Sequence, residues 1–225
     1  MRLLLFSDVH GNLTALEAVL EAARAYGPYD GAYCLGDLAL FGPHPEECLD
    51  RLTEAGVQAL AGNTDEWLAQ DLEAPTPTAQ AHLAWCRARL SPEALAFLRG
   101  LPRALQAADL RMVHATPRTP HDDPERCGPD LPPDEARAVF GEGLVAFGHR
   151  HGAFLAISPG LVRVNVSSVS IPPEPRPLAR FTVATRHAGH WSFAQHEVPY
   201  DPTPALRAAR ARGLPPFPWW QALVG

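Results

Sequence analysis

Residues 2–12 read RLLLFSDVHGN, an apolar run that gives way at once to polar residues. Four consecutive apolar residues at 3–6 are typical of a strand that is buried on both faces. Segment 13–26 carries its apolar residues at helical spacing and ends at a Gly-Pro pair, which predicts a helix. The apolar run is too short for a signal-sequence core or a membrane span. These residues therefore predict a buried strand, a polar loop and a helix.

The same alternation of strand and helix continues along the first 65 residues. Apolar runs at 32–35 and 57–61 predict two more strands, and 45–55 predicts the helix between them. Strands that alternate with helices favour a parallel sheet with right-handed crossovers. The remaining predicted helices lie at 79–90, 92–98, 134–140 and 204–212, and the remaining predicted strands at 110–113, 144–147, 154–157, 162–166, 178–185 and 191–198. Short turns between the last four strands predict antiparallel hairpins. Without a repeat or a linker, residues 1–225 are expected to form one α/β domain.

The composition limits the chemistry that the chain can perform. With 46% hydrophobic and 20% charged residues, it has the profile of an ordinary globular protein. The net charge of −6 disfavours a protein that holds nucleic acid by broad phosphate neutralisation. All 19 basic residues are Arg, which excludes a Walker-type phosphate loop and a lysine Schiff base. The four cysteines form no Cys-x-x-Cys pair, and we expect a reduced, cytoplasmic protein without membrane association.

Polar residues that can bind a metal follow five of the predicted strands. In an open α/β sheet the carboxyl ends of parallel strands face one crevice, so these side chains are expected to converge. Residues two apart in an extended chain project to the same side, and the five ends contain two such pairs. Glycines precede three of the residues and allow close approach of the backbone. The residues are Asp8, His10, Asp37, Asn63, His114, His149 and His151.

The combination of imidazole, carboxylate and amide ligands indicates a transition metal. Such ligands suit manganese, iron, zinc, cobalt or nickel better than calcium. Each residue alone has an ordinary explanation, since Asn63 could hold a turn and His114 could be a satisfied core residue. Their joint occurrence at five strand ends favours one shared metal site.

Six motifs give the chain a family resemblance that extends over nearly its whole length. They are Ser-Asp-Val-His-Gly-Asn at 7–12, Cys-Leu-Gly-Asp-Leu at 34–38, Phe-Gly-Pro-His-Pro-Glu-Glu-Cys at 41–48, Gly-Asn-Thr-Asp at 62–65, Val-His-Ala-Thr-Pro-Arg at 113–118 and Gly-His-Arg-His at 148–151. In order and spacing they resemble the calcineurin-like metallophosphoesterases, and among these the small bacterial predicted phosphodiesterases. The resemblance implies a four-layer α/β/β/α sandwich of two mixed β-sheets.

The resemblance also implies two metal ions and a role for each ligand. One ion would be bound by Asp8, His10, Asp37 and His151, and the other by Asp37, Asn63, His114 and His149. Asp37 would bridge the two ions, which would be manganese, iron, zinc or nickel, with manganese favoured. A hydroxide between them would attack a phosphate ester, so the implied activity is that of a metal-dependent phosphoric ester hydrolase. The implied catalytic residues are Asp37, Asn63 and His114, and Arg118 is a candidate phosphate contact.

Thr64 departs from the family pattern. Many members have Gly-Asn-His-Asp or Gly-Asn-His-Glu there, and the family's His contacts phosphate and protonates the leaving group. Thr can do neither, because its side chain carries no positive charge and is not an acid near neutral pH. General acid catalysis contributes on the order of 10² to 10⁴ in rate, so this loss favours phosphodiesters with good leaving groups. His44 and His121 are alternative proton donors from nearby loops, and Asp65 is expected to cap a helix beginning near residue 66.

Two alternatives to a phosphodiesterase remain open from the sequence. One is a phosphomonoesterase, and the other is a metal-binding interaction module of the same fold that has lost turnover. The expected partner is a small phosphate-ester substrate, with a nucleotide as one candidate and no stable nucleic acid complex. A second departure, Asn-Val-Ser-Ser-Val at 165–169 where relatives often have Asn-Pro-Gly-Ser-Val, predicts an altered turn beside the site. The oligomeric state is open, because Trp219 and Trp220 suit a core or an interface equally.

Overall fold

The computed structural model describes residues 1–70, 72–174 and 176–223, and within them ten strands form two mixed sheets. The strands are β1 (Arg2–Phe6), β2 (Gly31–Cys34), β3 (Gln58–Ala59), β4 (Ala104–Ala107), β5 (Leu110–Val113), β6 (Gly143–Phe147), β7 (Phe154–Ser158), β8 (Leu161–Asn165), β9 (Leu178–His187) and β10 (His190–Pro199). The first sheet has the order β10-β9-β1-β2-β3, and the second has the order β4-β5-β6-β8-β7.

Each sheet combines a parallel centre with antiparallel edges. In the first sheet β1, β2 and β3 run parallel, while β9 and β10 are antiparallel and form a long hairpin. In the second sheet β5, β6 and β8 run parallel, while β4 and β7 are antiparallel to their neighbours. The predicted parallel beginning and hairpin-rich end of the chain are therefore both present.

Strand β1 shows how the layers are held together. Its side chains alternate between the two faces of the sheet, as those of any strand do. Leu3 and Leu5 contribute to a core between the two sheets, which also contains Met112 and Val164 of the second sheet. Leu4 and Phe6 face the helices on the other side. Both faces are buried, which is why this strand has a continuous apolar run.

Helices cover the outer face of each sheet and complete an α/β/β/α sandwich. The helices are α1 (Leu13–Ala23), α2 (Pro45–Glu54), α3 (Asn63–Ala69), α4 (Pro77–Arg87), α5 (Pro92–Arg99), α6 (Pro133–Phe140), α7 (Thr203–Ala211) and α8 (Pro218–Ala222). Helices α1 to α5 contribute to the core on the outer side of the first sheet. Helix α6 packs on the second sheet through Ala136 and Phe140. The four-layer fold implied by the resemblance is confirmed.

Several details of the predicted elements were wrong. The strand expected at 57–61 is limited to β3, because the following residues turn into helix α3. That helix begins at Asn63 rather than near residue 66. Strand β4 and helix α8 were not predicted, since the first is an edge strand of four residues and the second is a single short turn rich in Trp and Pro.

The C-terminal segment packs onto the domain as a small apolar cluster. Trp219 and Trp220 are buried with Ala205 of α7, and Ile171 and Phe217 pack against them. The two tryptophans thus form core in this chain. The four cysteines are buried and free. Among the described residues, no helix combines the length and the apolar character that crossing a bilayer would need.

Candidate metal centre

The structure brings together the seven side chains that the strand ends predicted. Three of the loops that carry them follow β1, β2 and β3 of the first sheet, and the other two follow β5 and β6 of the second. The ligands therefore come from two sheets, whereas convergence was expected at the edge of one open sheet. The convergence persists because the carboxyl ends of both parallel centres lie at the same edge of the sandwich.

The first half of the centre consists of Asp8, His10 and His151. Nε2 of His151 lies 3.0 Å from Oδ1 of Asp8 and 3.3 Å from Nε2 of His10. Nε2 of His10 lies 3.8 Å from Oδ1 of Asp8. Three donor atoms from three different side chains thus face a common point.

The second half consists of Asn63, His114 and His149. Oδ1 of Asn63 lies 3.0 Å from Nε2 of His114 and 3.0 Å from Nδ1 of His149. The two ring nitrogens are 3.2 Å apart. Asp37 lies between the halves: its Oδ1 is 3.5 Å from Nε2 of His114, and its Oδ2 is 3.7 Å from Nε2 of His10.

The histidine rings are oriented by hydrogen bonds at their outer nitrogens. Three rings donate to backbone carbonyls: Nδ1 of His10 to Leu40 (3.1 Å), Nδ1 of His114 to Leu35 (2.7 Å) and Nε2 of His149 to Asp122 (2.8 Å). A neutral imidazole that donates from one nitrogen has a lone pair on the other. This arrangement is usual for metal-binding histidines, because the outer bond sets both the tautomer and the ring orientation.

The protonation states of these rings follow from burial and from the nearby carboxylates. Burial lowers the pKa of His10 to about 4. Burial and the neighbouring His114 together lower the pKa of His149 to about 4. Burial also opposes a charge on His114, but the carboxylate of Asp37 outweighs it and raises the pKa of His114 to about 9. His10 and His149 are thus neutral near pH 7, the form in which imidazole binds a metal, whereas His114 would release a proton on binding one.

The backbone at these side chains is unusual. Five of the residues have φ in the left-handed region: Asp8 (58°), His10 (50°), Asp37 (58°), His149 (63°) and His151 (63°). Residues other than glycine seldom adopt this conformation, and where they do the surrounding fold must impose it. The loops after β1 and β2 hold each other, since the amide of Asp8 donates to Gly36 O (2.9 Å) and that of His10 to Asp37 O (2.9 Å).

One buried oxygen supports the fit of this donor set to cations. Oδ1 of Asp8 is fully buried, and although Nε2 of His151 lies 3.0 Å away, no donor in the described part of the chain reaches it in well-aligned geometry. A buried carboxylate oxygen without a partner is costly unless a cation compensates it. With nitrogen and oxygen donors in two adjoining groups, these residues fit divalent transition metals.

Thr64 has a structural role that its sequence position did not reveal. Its hydroxyl donates to Oδ1 of Asp37 (2.8 Å), and its amide donates to the same oxygen (3.0 Å). The side chain is buried, so the hydroxyl holds Asp37 in place. Thr64 therefore replaces the family's His with a residue that orients the central carboxylate.

Asp65 connects the loops after β2 and β3. Its carboxylate accepts from three buried amides: Asp37 (2.8 Å), Leu38 (2.9 Å) and Gly62 (2.9 Å). Asp65 is the third residue of α3, so the bond from Gly62 is also the helix cap. The predicted capping role is thus present, although the helix starts earlier, and the carboxylate also orients the backbone of Asp37.

Replacing Asp65 by Ala is expected to lower the free energy of unfolding by about 3–5 kcal/mol. The reason is that three buried N–H groups lose their acceptor, each at a cost of about 1–3 kcal/mol with incomplete additivity. Urea unfolding measures this change. Asp134→Ala is the matched control, because Asp134 is 98% exposed and its pair with Arg137 lies on the surface, so a change within about 0.5 kcal/mol is expected. Equal stability of the two variants would contradict the role given to Asp65.

Side chains of the segment 165–169 donate hydrogen bonds to the backbone of the loops that carry the predicted ligands. The hydroxyl of Ser168 donates to Asp8 O (3.0 Å), and that of Ser167 donates to His151 O. The side-chain amide of Asn165 donates to Gly148 O (2.5 Å). Sequence reasoning noted this departure but assigned these residues no contact. Nor did it identify Asp122, whose carbonyl orients His149; only its position in a polar loop rich in Pro could have indicated it.

A cavity of about 180 Å³ opens onto the centre. Its polar wall consists of His10, Asp37, Asn63, Thr64, His149 and His151. The other candidates lie outside this lining. Arg118 is 65% exposed, with its Nη2 4.0 Å from Oδ2 of Asp122. His121 donates from Nε2 to Oε2 of Glu66 (2.7 Å), and His44 precedes α2. Phosphate contact by Arg118 and proton transfer by either histidine stay predictions.

Comparisons with known proteins agree with this geometry. A family model for the calcineurin-like phosphoesterase superfamily domain matches residues 1–188. An uncharacterized protein of Methanocaldococcus jannaschii is 29% identical over 161 residues, which cover 68% of this chain and 64% of that protein, so the match spans less than two thirds of the relative.

A metallophosphoesterase structure from Sphaerobacter thermophilus is 27% identical with a TM-score of 0.78, covering 100% of this chain and 98% of that one. A hypothetical protein of Pyrococcus horikoshii, 21% identical with a TM-score of 0.83, shares the fold over 99% of this chain and 97% of its own.

Proposed function

Because the chain belongs to the calcineurin-like phosphoesterase superfamily, we propose that it is a phosphodiesterase that hydrolyses small phosphate esters with two divalent transition-metal ions. One observation carries the proposal. Seven side chains with nitrogen and oxygen donors, drawn from the ends of five strands, face each other across 3.0–3.8 Å. An arrangement that needs five separate loops and several strained backbones is typical of a functional centre.

The division of ligands follows the two halves of the centre. We assign Asp8, His10, Asp37 and His151 to one ion, and Asp37, Asn63, His114 and His149 to the other. Asp37 suits a bridging role because its two oxygens face different halves, Oδ2 towards His10 and Oδ1 towards His114. Manganese is our first choice, and iron, zinc and nickel have compatible ligand preferences.

The chain's own residues would bind and position the phosphate. Two bound cations would supply the charge that offsets the phosphoryl oxygens and would lower the pKa of a bound water. Asn63 lines the cavity, so its side-chain N–H groups can donate to a phosphoryl oxygen. His114 and His149 stay fixed through their outer nitrogens, which keeps the site rigid as charge develops on the phosphate.

Thr64 explains why diesters with good leaving groups are the proposed substrates. The hydroxyl proton of Thr64 is directed at Asp37, so it cannot be given to a departing oxygen. Without an acid at this position, a leaving group must depart as an anion, and a loss on the order of 10² to 10⁴ is expected for poor leaving groups. The same observation supports an interaction module without turnover as the second candidate.

Metal analysis joined to a substrate screen tests the proposal. We expect about two equivalents of metal per chain after loading with manganese, loss of activity on chelation and recovery when metal is restored. Hydrolysis of bis(4-nitrophenyl) phosphate should exceed that of 4-nitrophenyl phosphate by about tenfold or more in kcat/KM, a barrier difference of about 1.4 kcal/mol. The reverse order would indicate a monoesterase. Full metal loading with no turnover of aryl, alkyl or cyclic nucleotide esters would indicate the interaction module.

A further inference from the structure

The cavity at the metal centre has an apolar wall in addition to its polar one. Phe41, Trp67, Ile171 and Phe217 form this wall, and each of them is only partly buried. Apart from the indole N–H of Trp67, these side chains offer no hydrogen-bonding group. A wall of this kind suits a flat apolar surface and offers little to the hydroxyl groups of a sugar or an alcohol.

Phe41 is held beside the metal ligands in a strained conformation. Its φ of 86° lies in the left-handed region, which a bulky aromatic residue rarely adopts. The indole of Trp220 donates to the carbonyl of Phe41 (2.8 Å) and fixes this backbone. As a result the ring of Phe41 lies 5.5 Å from that of His10, centroid to centroid. Strain that directs a side chain at a site is a sign of function, because other contacts must compensate for it.

Phe217 extends the aromatic surface from a different part of the chain. Its ring is stacked on Phe41, with centroids 4.8 Å apart and planes 13° from parallel. It lies beyond residues 1–188, the segment that matches the family model. This part of the wall is therefore contributed by residues outside the segment that the family model matches.

Trp67 provides a second aromatic surface in the lining of the cavity. It lies on α3 four residues after Asn63, so both side chains are on the same face of the helix, one turn apart. The indole therefore lines the cavity beside a predicted metal ligand. The volume of about 180 Å³ is below the roughly 300–1,000 Å³ of pockets that enclose a whole ligand. A phosphate would thus contact the polar wall, and its substituent would pack against these rings.

We propose that the centre selects phosphate esters whose substituent carries a planar aromatic ring, which packs against Trp67 and the Phe41–Phe217 stack. This inference rests on the proposed function, since it supplies the substrate class for the same site. The ring can belong to an aryl group or to a nucleobase, and the chemistry that recognises it is the same: ring stacking and burial of a flat apolar face.

Two matched ligand pairs test the proposal by binding to the manganese-loaded protein, measured by isothermal titration calorimetry. Phenylphosphonate and cyclohexylphosphonate have the same charge and nearly the same size, but only the first has a flat ring. Adenosine 5′-monophosphate has an adenine base at the position where ribose 5-phosphate has a hydroxyl group. We expect the aromatic member of at least one pair to bind about three- to tenfold more tightly, which is the usual gain from one aromatic contact. A preference within the first pair alone indicates an aryl ester, and one within the second alone indicates a nucleotide.

Leucine substitutions test whether the rings of the apolar wall cause the preference for the aromatic ligand. Phe217→Leu keeps an apolar side chain but removes the ring, so it should reduce the preference to less than about twofold while metal loading is retained. Trp67→Leu tests the contribution of the Trp67 ring in the same way. Phe97→Leu is the control: Phe97 is 38% exposed on α5 and outside the cavity lining, so the preference should be unchanged. Thermal melts confirm that each variant is folded.

The outcomes separate this inference from the proposed function. Equal binding within both pairs by a protein that hydrolyses phosphate esters would overturn the aromatic preference and leave the activity intact. If no phosphonate or phosphate binds and no ester is hydrolysed, the proposed function fails, and the inference fails with it. A preference that survives in both Phe217→Leu and Trp67→Leu would show that the ring is recognised elsewhere.

Discussion

Asp37→Asn is expected to lower kcat/KM by at least about a hundredfold and to reduce the bound metal to about one equivalent or less. The substitution keeps the shape of the side chain but removes its charge and turns one acceptor into a donor. Oδ1 accepts two hydrogen bonds from Thr64, and the two oxygens face His10 and His114 on either side. A loss of 10–100-fold is usual when only a supporting partner of a ligand is removed, so removal of a shared ligand should reach or exceed that range.

The measurement is metal content after loading and desalting, together with hydrolysis of the aryl diester. Asp50→Asn is the matched control, since Asp50 is an exposed residue of α2 outside the cavity lining and should leave both quantities unchanged. Retention of two metal ions and of activity by Asp37→Asn would contradict a bridging role for this carboxylate.

Gly148→Ala is expected to have a comparable effect without altering any ligand. A Cβ at this position would lie 2.0 Å from Oγ of Ser7 and 2.5 Å from Oδ2 of Asp8. Neither atom can retreat easily, because both residues are fully buried and the Ser7 hydroxyl donates to Leu35 O (3.0 Å). The added methyl would push Asp8 away from the amide of His149, which now donates to it (3.1 Å). We expect activity to fall at least about a hundredfold and the free energy of unfolding to fall by about 1–3 kcal/mol.

Gly152→Ala provides the control for this clash. It lies four residues further along the same loop, and its added Cβ would meet only Cγ of Pro173 at 3.8 Å, an ordinary contact. Its metal content, activity and urea unfolding should remain close to those of the unaltered chain. If Gly148→Ala resembles Gly152→Ala in all three measurements, the close approach of the loops is not needed for the centre.

Much of the site was predictable because its ligands carry strong local signals. Asp8 and His149 each stand two residues after the end of an apolar run, and a strand end is recognisable from a few neighbouring residues. The glycines before the ligands were expected to permit close approach, and at Gly148 the approach leaves no room for a Cβ, which would lie 2.0–2.5 Å from atoms of Ser7 and Asp8. Strand β4 and helix α8 were missed for the opposite reason: each is short, and each depends on distant partners for its burial.

The sequence by itself determined which residues could bind metals, that five strand ends carry them, and that the chain is an α/β protein. These properties are encoded in residue type and in the period of burial, which are local. Only the tertiary structure decided that the ends belong to two sheets, that Thr64 holds Asp37, that Asp65 joins two loops and that Phe217 stacks on Phe41. Such contacts join residues far apart in the chain, 141 positions in the case of Asp8 and His149. Their geometry depends on how the sheets pack and on the twist and register of the strands, and no local pattern specifies that packing.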